Sequence, residues 1–139
     1  MRSRKNVQVY IYSELESKIL MLKRIPEKSG YWQPVCGGIE DGESVIEAGK
    51  REVIEETGIT SWLNIELLPN TFTYQEAKNE ESMQMKDYCM VMCIEACQNV
   101  DLSWEHEAYK WCSGSQIEEL TDWAPILTVI NDLRGRLNL

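Results

Sequence analysis

The sequence predicts an α/β fold in which helices pack on the faces of a mixed β-sheet. Strand-like and helix-like segments are mixed along the chain, but they do not alternate as in a regular doubly wound sheet. The 139 residues are 43% apolar and 27% charged, which is ordinary globular composition and enough for one core. We therefore predict a single domain that covers residues 1–139.

The strands are predicted from β-rich segments bounded by turn residues. The first, "NVQVYIYS", alternates apolar and polar residues. Pro26 ends the second. The polar segment 76–85 predicts a hairpin tip, and residues 27–33 predict a loop. The predicted strands cover residues 6–13, 18–25, 34–38, 65–75, 86–97 and 107–113.

Three helices are predicted from capping signals and apolar spacing. Ser44 and Glu47 form a capping box before a helix over residues 45–57, which Gly58 ends. A second helix begins within residues 113–123, where Ser115 and Glu118 also have capping-box spacing. An amphipathic helix over residues 124–137 follows.

Charge and cysteine content exclude some function classes. The formal net charge is −9, the opposite sign to that of a nucleic-acid binder, so we expect no nucleic acid polymer as partner. The longest apolar run, residues 88–94, is too short to span a bilayer, and no secretory signal is evident. Five cysteines, an odd number, favour reduced thiols and a cytoplasmic location. Cys89, Cys93 and Cys97 would share one strand face, as core residues or, alternatively, as zinc ligands.

The predicted helix over residues 45–57 has an unfavourable concentration of acid. Glu52, Glu55 and Glu56 fall within about 100° of arc on this helix. Like charges at this spacing repel, and the C-terminal end of a helix disfavours anions. A solvated acidic face is the simple interpretation. A divalent cation would reverse the penalty, because Mg²⁺ prefers carboxylate oxygens, and flexible Gly37 supports this second interpretation.

The same segment resembles the signature of the Nudix hydrolase superfamily, G-x5-E-x7-R-E-U-x-E-E-x-G-U, where U is apolar. Every one of the nine defined positions matches over residues 37–59. The resemblance implies a Nudix-type α/β/α sandwich. It also implies a hydrolase that cleaves a diphosphate linked to another moiety, using Mg²⁺ or Mn²⁺.

The resemblance also implies roles for individual residues. Glu52, Glu55 and Glu56 match the metal-binding glutamates. Arg51 and Glu43 match the pair that braces the loop against the helix. The position of Cys36 is one at which the family often uses a backbone carbonyl as a further metal ligand.

Two segments outside the signature, "YWQPVCGGIEDGE" and "WEHEAYKW", resemble the bacterial dATP and dihydroneopterin triphosphate pyrophosphatase branch. In that branch the glutamate before the histidine is a further acid of the metal site. Carried over, it is Glu105, with Glu107 and Glu76 as competing acids. Either Glu52 or Glu105 would take the proton from the attacking water.

Two further residues are candidates for substrate binding. Trp32 could stack on a base or a pterin ring, or it could cover the core as an aromatic lid. Arg24 could contact a phosphate, or it could be an ordinary surface arginine. Tyr109 and Trp111 share a strand face and are predicted to pack in the core.

The predicted function is hydrolysis of a nucleoside triphosphate-like substrate, of the dATP or dihydroneopterin triphosphate type, to a monophosphate and pyrophosphate. Dinucleoside polyphosphates, nucleotide-sugars and oxidised nucleotides are alternative substrates. A non-catalytic nucleotide-binding module is a further alternative. We expect a small phosphorylated partner and no membrane partner. The sequence is compatible with a homodimer and does not fix the oligomeric state.

Overall fold

The structure is a computed structural model that describes residues 2–78 and 81–139. Over these residues it has seven strands, three α-helices and a 3-10 turn at Pro26–Lys28. The strands are β1 (Arg2–Ser13), β2 (Lys18–Arg24), β3 (Trp32–Gln33), β4 (Val35–Gly38), β5 (Asn64–Lys78), β6 (Glu81–Ile94) and β7 (His106–Cys112). The helices are α1 (Val45–Thr57), α2 (Gly114–Leu120) and α3 (Ala124–Arg134).

Strand β1 is the centre of the sheet. It pairs in parallel with β6 along its whole length and antiparallel with β4 and with the start of β2. Strand β5 lies antiparallel outside β6, while β3 and β7 pair with β2. The strand order is therefore β3-β2-β1-β6-β5, with β4 beside β1 and β7 beside β2. This mixed sheet confirms the predicted fold class.

The helices cover opposite faces of the sheet. Alternate residues of β1 point to different sides, so that Val7 and Val9 pack with Val53 of α1. Tyr10, on the other side, belongs to the core that Ile130 of α3 also enters. Strand β6 is buried on both faces over its last six residues, as expected for a strand between two helical layers. The result is an α/β/α sandwich.

Helix α1 is specified by its ends and by a small residue against the sheet. The Ser44 hydroxyl accepts a hydrogen bond from the Glu47 amide, and the Glu47 carboxylate accepts one from the Ser44 amide. Gly58 ends the helix with φ 75° and ψ 2°. A β-carbon at Gly49 would overlap Met90 of β6, so glycine there lets the helix lie close to the sheet. The predicted bounds, 45–57, are confirmed.

Replacing the N-cap of α1 should weaken the fold measurably. We expect Ser44→Ala to lower the free energy of unfolding by about 1 kcal/mol. The reason is that the Glu47 amide loses the Ser44 hydroxyl that accepts its hydrogen bond. Urea unfolding followed by circular dichroism measures this. The control is Ser61→Ala, an exposed serine outside helices and strands. It should change stability by less than about 0.5 kcal/mol. Equal losses in the two variants would contradict the capping role.

Several predicted strand boundaries were wrong. Strand β1 begins at Arg2, because its first residues pair with residues 83–86 of β6. The predicted loop 27–33 contains the short strand β3, which pairs with β2. The predicted hairpin tip 76–85 is mostly strand, since β5 runs to Lys78 and β6 starts at Glu81; residues 79–80 lie outside the described residues.

Two local predictions near the C-terminus of the chain were also wrong. The capping box of α2 is Ser113 with Gln116, and Ser115 lies within the first turn of the helix. Ser113 has the extended backbone that a cap needs, directly after β7. Helix α3 ends at Arg134, three residues earlier than predicted. None of the described helices has the length and the apolar content needed to cross a membrane.

The cysteines lie in different environments. Cys89 and Cys93 are buried in the core beneath α2 and α3. Strand β6 ends at Ile94, so Cys97 lies beyond it and does not share their strand face. This part of the prediction was wrong. All five cysteines are free thiols.

Candidate functional site

The acidic helix faces the glycine-containing strand β4. Glu52 and Glu56, one helical turn apart, are only 9% and 5% exposed, whereas Glu55 points outward and is exposed. A β-carbon at Gly37 would overlap the Glu52 carboxyl group as it is placed, so glycine lets this carboxyl group lie against β4. Two acids are therefore enclosed between α1 and β4, which does not fit a simple solvated helix face.

Arg51 ties the loop and the helix together. Its Nε and Nη2 donate to the two carboxylate oxygens of Glu43 at 2.8 and 2.9 Å, and Nη2 also donates to the Gly38 carbonyl at 2.8 Å. Its Nη1 donates to Glu52 at 2.9 Å and to Glu55 at 3.3 Å. The paired geometry with Glu43 is the strong two-bond form of an arginine–carboxylate contact. One guanidinium thus orients three of the acids around it.

Glu105 approaches this site from another part of the chain. It lies in the turn just before β7, as expected, and its carbonyl accepts a hydrogen bond from the Ile25 amide at 3.0 Å. Burial raises the pKa of both Glu52 and Glu56, and the negative charge of Glu105 raises it further. The competing acids behave differently. Glu107 pairs with Lys23 at 3.0 Å, and Glu76 lies exposed on β5.

The electrostatics of the site separate the acids into two kinds. Burial, helped by the nearby charges of Glu52 and Glu105, raises the pKa of Glu56 to about 9. Burial also raises the pKa of Glu52, although Arg51 opposes the effect. By contrast, the hydrogen bonds from Arg51 lower the pKa of Glu43 to about 2. Negative charge on Glu52 and Glu56 therefore costs free energy, whereas negative charge on Glu43 is stabilised by Arg51.

The residues fit a hard divalent cation. The Oε2 atom of Glu56 is buried and has no hydrogen-bond partner in the structure, which is unusual for a buried carboxylate oxygen. A cation would satisfy this atom and remove the repulsion among Glu52, Glu56 and Glu105. As placed, no three acidic, cysteine or histidine side chains of the described residues converge closely enough to form a finished cation cage. Mg²⁺ commonly takes a few carboxylates and completes its shell with water and substrate phosphates.

Comparison with known proteins agrees with this geometry. The family model described as "NUDIX domain" matches residues 2–133, which is nearly the whole chain. The chain belongs to the Nudix family. The predicted resemblance is thereby confirmed, and residues 37–59 are the Nudix signature of this domain.

Two curated relatives of this Nudix chain are similar over part of their length. An octanoyltransferase of Myxococcus xanthus is 32% identical over 96 residues, covering 69% of this chain and 26% of that protein. Nucleoside triphosphatase NudI of Escherichia coli O139:H28 is 34% identical over 89 residues, covering 59% of this chain and 61% of that protein. The chain thus matches less than two thirds of the length of these relatives.

Solved structures share the fold of this Nudix chain. The E. coli dihydroneopterin triphosphate pyrophosphohydrolase superposes with a TM-score of 0.81 at 22% identity, over 95% of this chain and 97% of that one. A C. elegans Ap4A hydrolase complex superposes with a TM-score of 0.71 at 23% identity, over 95% and 96% of the two chains. At these identities the likeness establishes the fold.

The other candidate residues lie on strands β2, β3 and β4. Arg24 ends β2 opposite His106. Burial raises the pKa of the Cys36 thiol, and the positive charge of Arg24 opposes this rise. Cys36 is in β4, directly before Gly37, so its carbonyl belongs to the strand that faces Glu52. Trp32 is half-buried and packs against the core beneath α2 and α3. The stacking role of Trp32 and the phosphate role of Arg24 stay predictions.

The sequence interpretation missed a buried polar network beside this site. Asp87 of β6 is held by Asn6 and Gln8 of β1 and by Tyr74 of β5. One signal was available, because Asn6 and Gln8 occupy alternate positions of a strand and are followed at the same spacing by Tyr10 and Tyr12. The contact with Asp87 depends on the parallel pairing of β1 with β6, which the sequence does not reveal.

The raised pKa of Glu56 predicts a pH-dependent stability of the metal-free protein. Its pKa rises from 4.5 to about 9 on folding, so the folded state binds a proton that the unfolded state has lost. Stability from this group is complete below about pH 4.5 and is lost as the pH rises towards 9. At pH 8, in chelator, Glu56→Gln should therefore raise the free energy of unfolding by at least about 1.4 kcal/mol, the equivalent of one pKa unit.

Urea unfolding at pH 5 and pH 8 measures this difference. The variant should gain less at pH 5, because Glu56 of the unfolded chain is only partly ionised there, so taking up a proton on folding costs less free energy than at pH 8. Glu119→Gln, an exposed change on α2, is the matched control and should leave both values unchanged. A wild-type protein as stable at pH 8 as the variant contradicts the burial argument.

Proposed function

We propose that this Nudix domain is a hydrolase that requires Mg²⁺ or Mn²⁺ and cleaves a phosphoanhydride of a nucleoside triphosphate-like substrate. The products would be a monophosphate and pyrophosphate. The observation that carries the proposal is the enclosed pair Glu52–Glu56, with one unpartnered carboxylate oxygen, facing Gly37. The similarity to a relative named nucleoside triphosphatase supports the choice of substrate class.

Four glutamates, one backbone carbonyl and one arginine would have distinct roles in this site. Glu52, Glu55, Glu56 and Glu105 would hold the cation, with the Cys36 carbonyl as a further ligand. When bound, a divalent cation supplies an acidified water, neutralises phosphate charge and stabilises the leaving group. Arg51 holds Glu52 and Glu55 in place through its hydrogen bonds.

The proton of the attacking water would go to Glu52 or to Glu105. Glu52 is braced by Arg51, whereas Glu105 is on a turn and forms no ion pair among the described side chains. Oxygen of the water forms the new bond to phosphorus, and the bridging oxygen leaves with pyrophosphate. Arg24 would contact the phosphates, and Trp32 would stack against the ring of the substrate.

The partner is proposed to be a small phosphorylated molecule, and neither a nucleic acid polymer nor a membrane. The acidic net charge of −9 supports this, because the protein would meet an anion only through a cation. We place the protein in the cytoplasm, where its five free thiols would stay reduced. A homodimer would have about twice the chain mass of 16.1 kDa, which light scattering measures.

A substrate panel at fixed Mg²⁺ tests the proposal. It contains nucleoside triphosphates, oxidised nucleotides, dihydroneopterin triphosphate, dinucleoside polyphosphates and nucleotide-sugars, with pyrophosphate and phosphate measured separately. Pyrophosphate release that stops on addition of chelator supports the proposal. Cleavage of a dinucleoside polyphosphate into two nucleotides would instead assign another Nudix substrate class. Tight binding with no turnover across the panel would indicate a binding module.

A further inference from the structure

A buried carboxylate lies on the sheet face opposite α1. Asp87 is 3% exposed and accepts hydrogen bonds from the amides of Asn6 at 3.0 Å and Gln8 at 2.9 Å. The Tyr74 hydroxyl lies 3.1 Å from each of its two oxygens. The side-chain carbonyl oxygen of Gln8 accepts a hydrogen bond from the Tyr10 hydroxyl at 2.6 Å, which fixes the orientation of the Gln8 side-chain amide. The network therefore presents one carboxylate held by neutral donors.

The absence of a cation at this carboxylate is unusual. Buried acids are normally paired with a positive group, because an uncompensated buried charge is costly. Among the described side chains no lysine, arginine or histidine forms an ion pair with Asp87. A network that served only to fix the register of β1 and β6 could use amides alone. Fixing the register therefore does not explain why an acid is present at position 87.

The carboxylate also has acceptor capacity to spare. Its two oxygens offer about four acceptor positions, and three neutral donors supply one proton each. The single proton of Tyr74 is shared between both oxygens, since it lies equally far from each. A ligand that displaces this hydroxyl would find both oxygens side by side.

Exposure within the network increases from Gln8 to Tyr74. Gln8 is fully buried, Asp87 and Asn6 keep 3% and 7% exposure, and Tyr74 is half-buried. Beyond it, Trp123 is 38% exposed and packs edge-on against Tyr74, with ring centres 5.3 Å apart. The outer end of the network is thus flanked by two aromatic rings that a flat heterocycle can contact.

The network is one residue away from the proposed metal site. Gln8 pairs directly with Cys36 of β4, so their side chains point to the same face. The next residue, Gly37, faces Glu52 on the other side. The Cys36 thiol has a raised pKa through burial, with Asp87 and Glu56 both contributing, which agrees with this closeness. A substrate whose phosphates lie at Glu52 and Glu56 would extend past β4, which pairs with β1 alone among the described strands, to bring its ring to Asp87.

We propose that Asp87 selects the heterocycle of the substrate by accepting hydrogen bonds from two adjacent donors. This inference rests on the proposed function and names its substrate class. A carboxylate is an acceptor only. It matches a 2-amino-4-oxo ring, the edge shared by guanine and reduced pterins, which presents a ring N–H beside an amino group. It mismatches adenine, whose amino group lies beside an acceptor nitrogen.

Equilibrium binding of monophosphates tests the ring preference without any chemistry. We expect the full chain to bind dGMP at least about tenfold more tightly than dAMP by isothermal titration calorimetry, the effect of one charge-assisted hydrogen bond. Because dIMP lacks the amino group, its affinity should lie between the two. Equal binding of dGMP and dAMP overturns the proposal. Since no turnover is needed, this result is independent of whether triphosphates are hydrolysed.

Two variants separate a selecting acid from a structural one. Asp87→Asn, which can both donate and accept, should abolish the preference for dGMP; a preserved dGMP-to-dAMP ratio in a folded variant overturns the proposal. Tyr74→Phe removes the hydroxyl that covers the carboxylate and should strengthen dGMP binding a few-fold. If Asp87→Asn does not fold, an unchanged dGMP affinity in Tyr74→Phe overturns the proposal instead.

Discussion

Glu56→Gln is expected to lower kcat for the best substrate by at least about 1,000-fold. A metal site contributes several kcal/mol to the stabilisation of transition-state charge, and each 1.4 kcal/mol is about tenfold in rate. Glu56 is the most enclosed acid of the signature, and its Oε2 atom has no other partner. The amide has nearly the same shape as the acid, so the fold should remain intact. Initial rates and circular dichroism measure the two effects.

The matched control distinguishes a lost ligand from a general loss of charge. Glu119→Gln also removes one carboxylate, but on the exposed face of α2, and should leave kcat unchanged. Binding of Mn²⁺ followed by electron paramagnetic resonance adds a measurement that needs no substrate. Weakened Mn²⁺ binding is expected only in Glu56→Gln. Full activity in that variant would rule out the assignment of the metal site.

Arg51→Lys is expected to have the second largest effect. Arginine reaches Glu43, Gly38 and Glu52 at the same time through its planar fork, which a lysine ammonium cannot do. Loss of a group that orients metal ligands typically costs about 10- to 100-fold in metal affinity or activity. The half-saturating Mg²⁺ concentration should rise by this factor. The free energy of unfolding should fall by about 2 kcal/mol, the contribution of one or two charged hydrogen bonds.

A matched arginine change tests whether the network matters. Arg2 pairs with Glu81 at 3.2 Å, but both side chains are largely exposed. Such surface pairs contribute little, so Arg2→Lys should change stability by less than about 0.5 kcal/mol and leave the Mg²⁺ dependence unaltered. Half-saturation of Arg51→Lys at the wild-type Mg²⁺ concentration would show that the fork does not orient the ligands.

Features fixed by neighbouring residues could be predicted from the sequence. The bounds of α1 follow from Ser44, Glu47 and Gly58, which act within one helical turn of the ends. Similarly, the relative placement of Glu52 and Glu56 follows from helical geometry. The same local reasoning failed at α2, because two serines, Ser113 and Ser115, compete for the cap. The backbone at the end of β7 decides between them, and the sequence does not show it.

Features that depend on strand pairing could not be predicted. The approach of Glu105 to the signature helix was expected from family resemblance alone, since about fifty residues separate it from Glu56. The contact between Asn6 and Asp87 joins residues 81 positions apart, and a shift of one residue in register would turn one of them away. The extension of β1 to Arg2 was missed for the same reason. Residues 2–5 are strand because they pair with β6, and the sequence does not show this pairing.

The central position of β1 has a consequence for synthesis on the ribosome. This strand leaves the ribosome before its partners, and its parallel partner β6 begins about eighty residues later. Until β6 has emerged, one edge of β1 and the apolar side chains on both of its faces lack their native neighbours. Such high contact order slows folding into the range of milliseconds to seconds. Nascent chains that stop before β6 should therefore be prone to aggregation and should depend on chaperones.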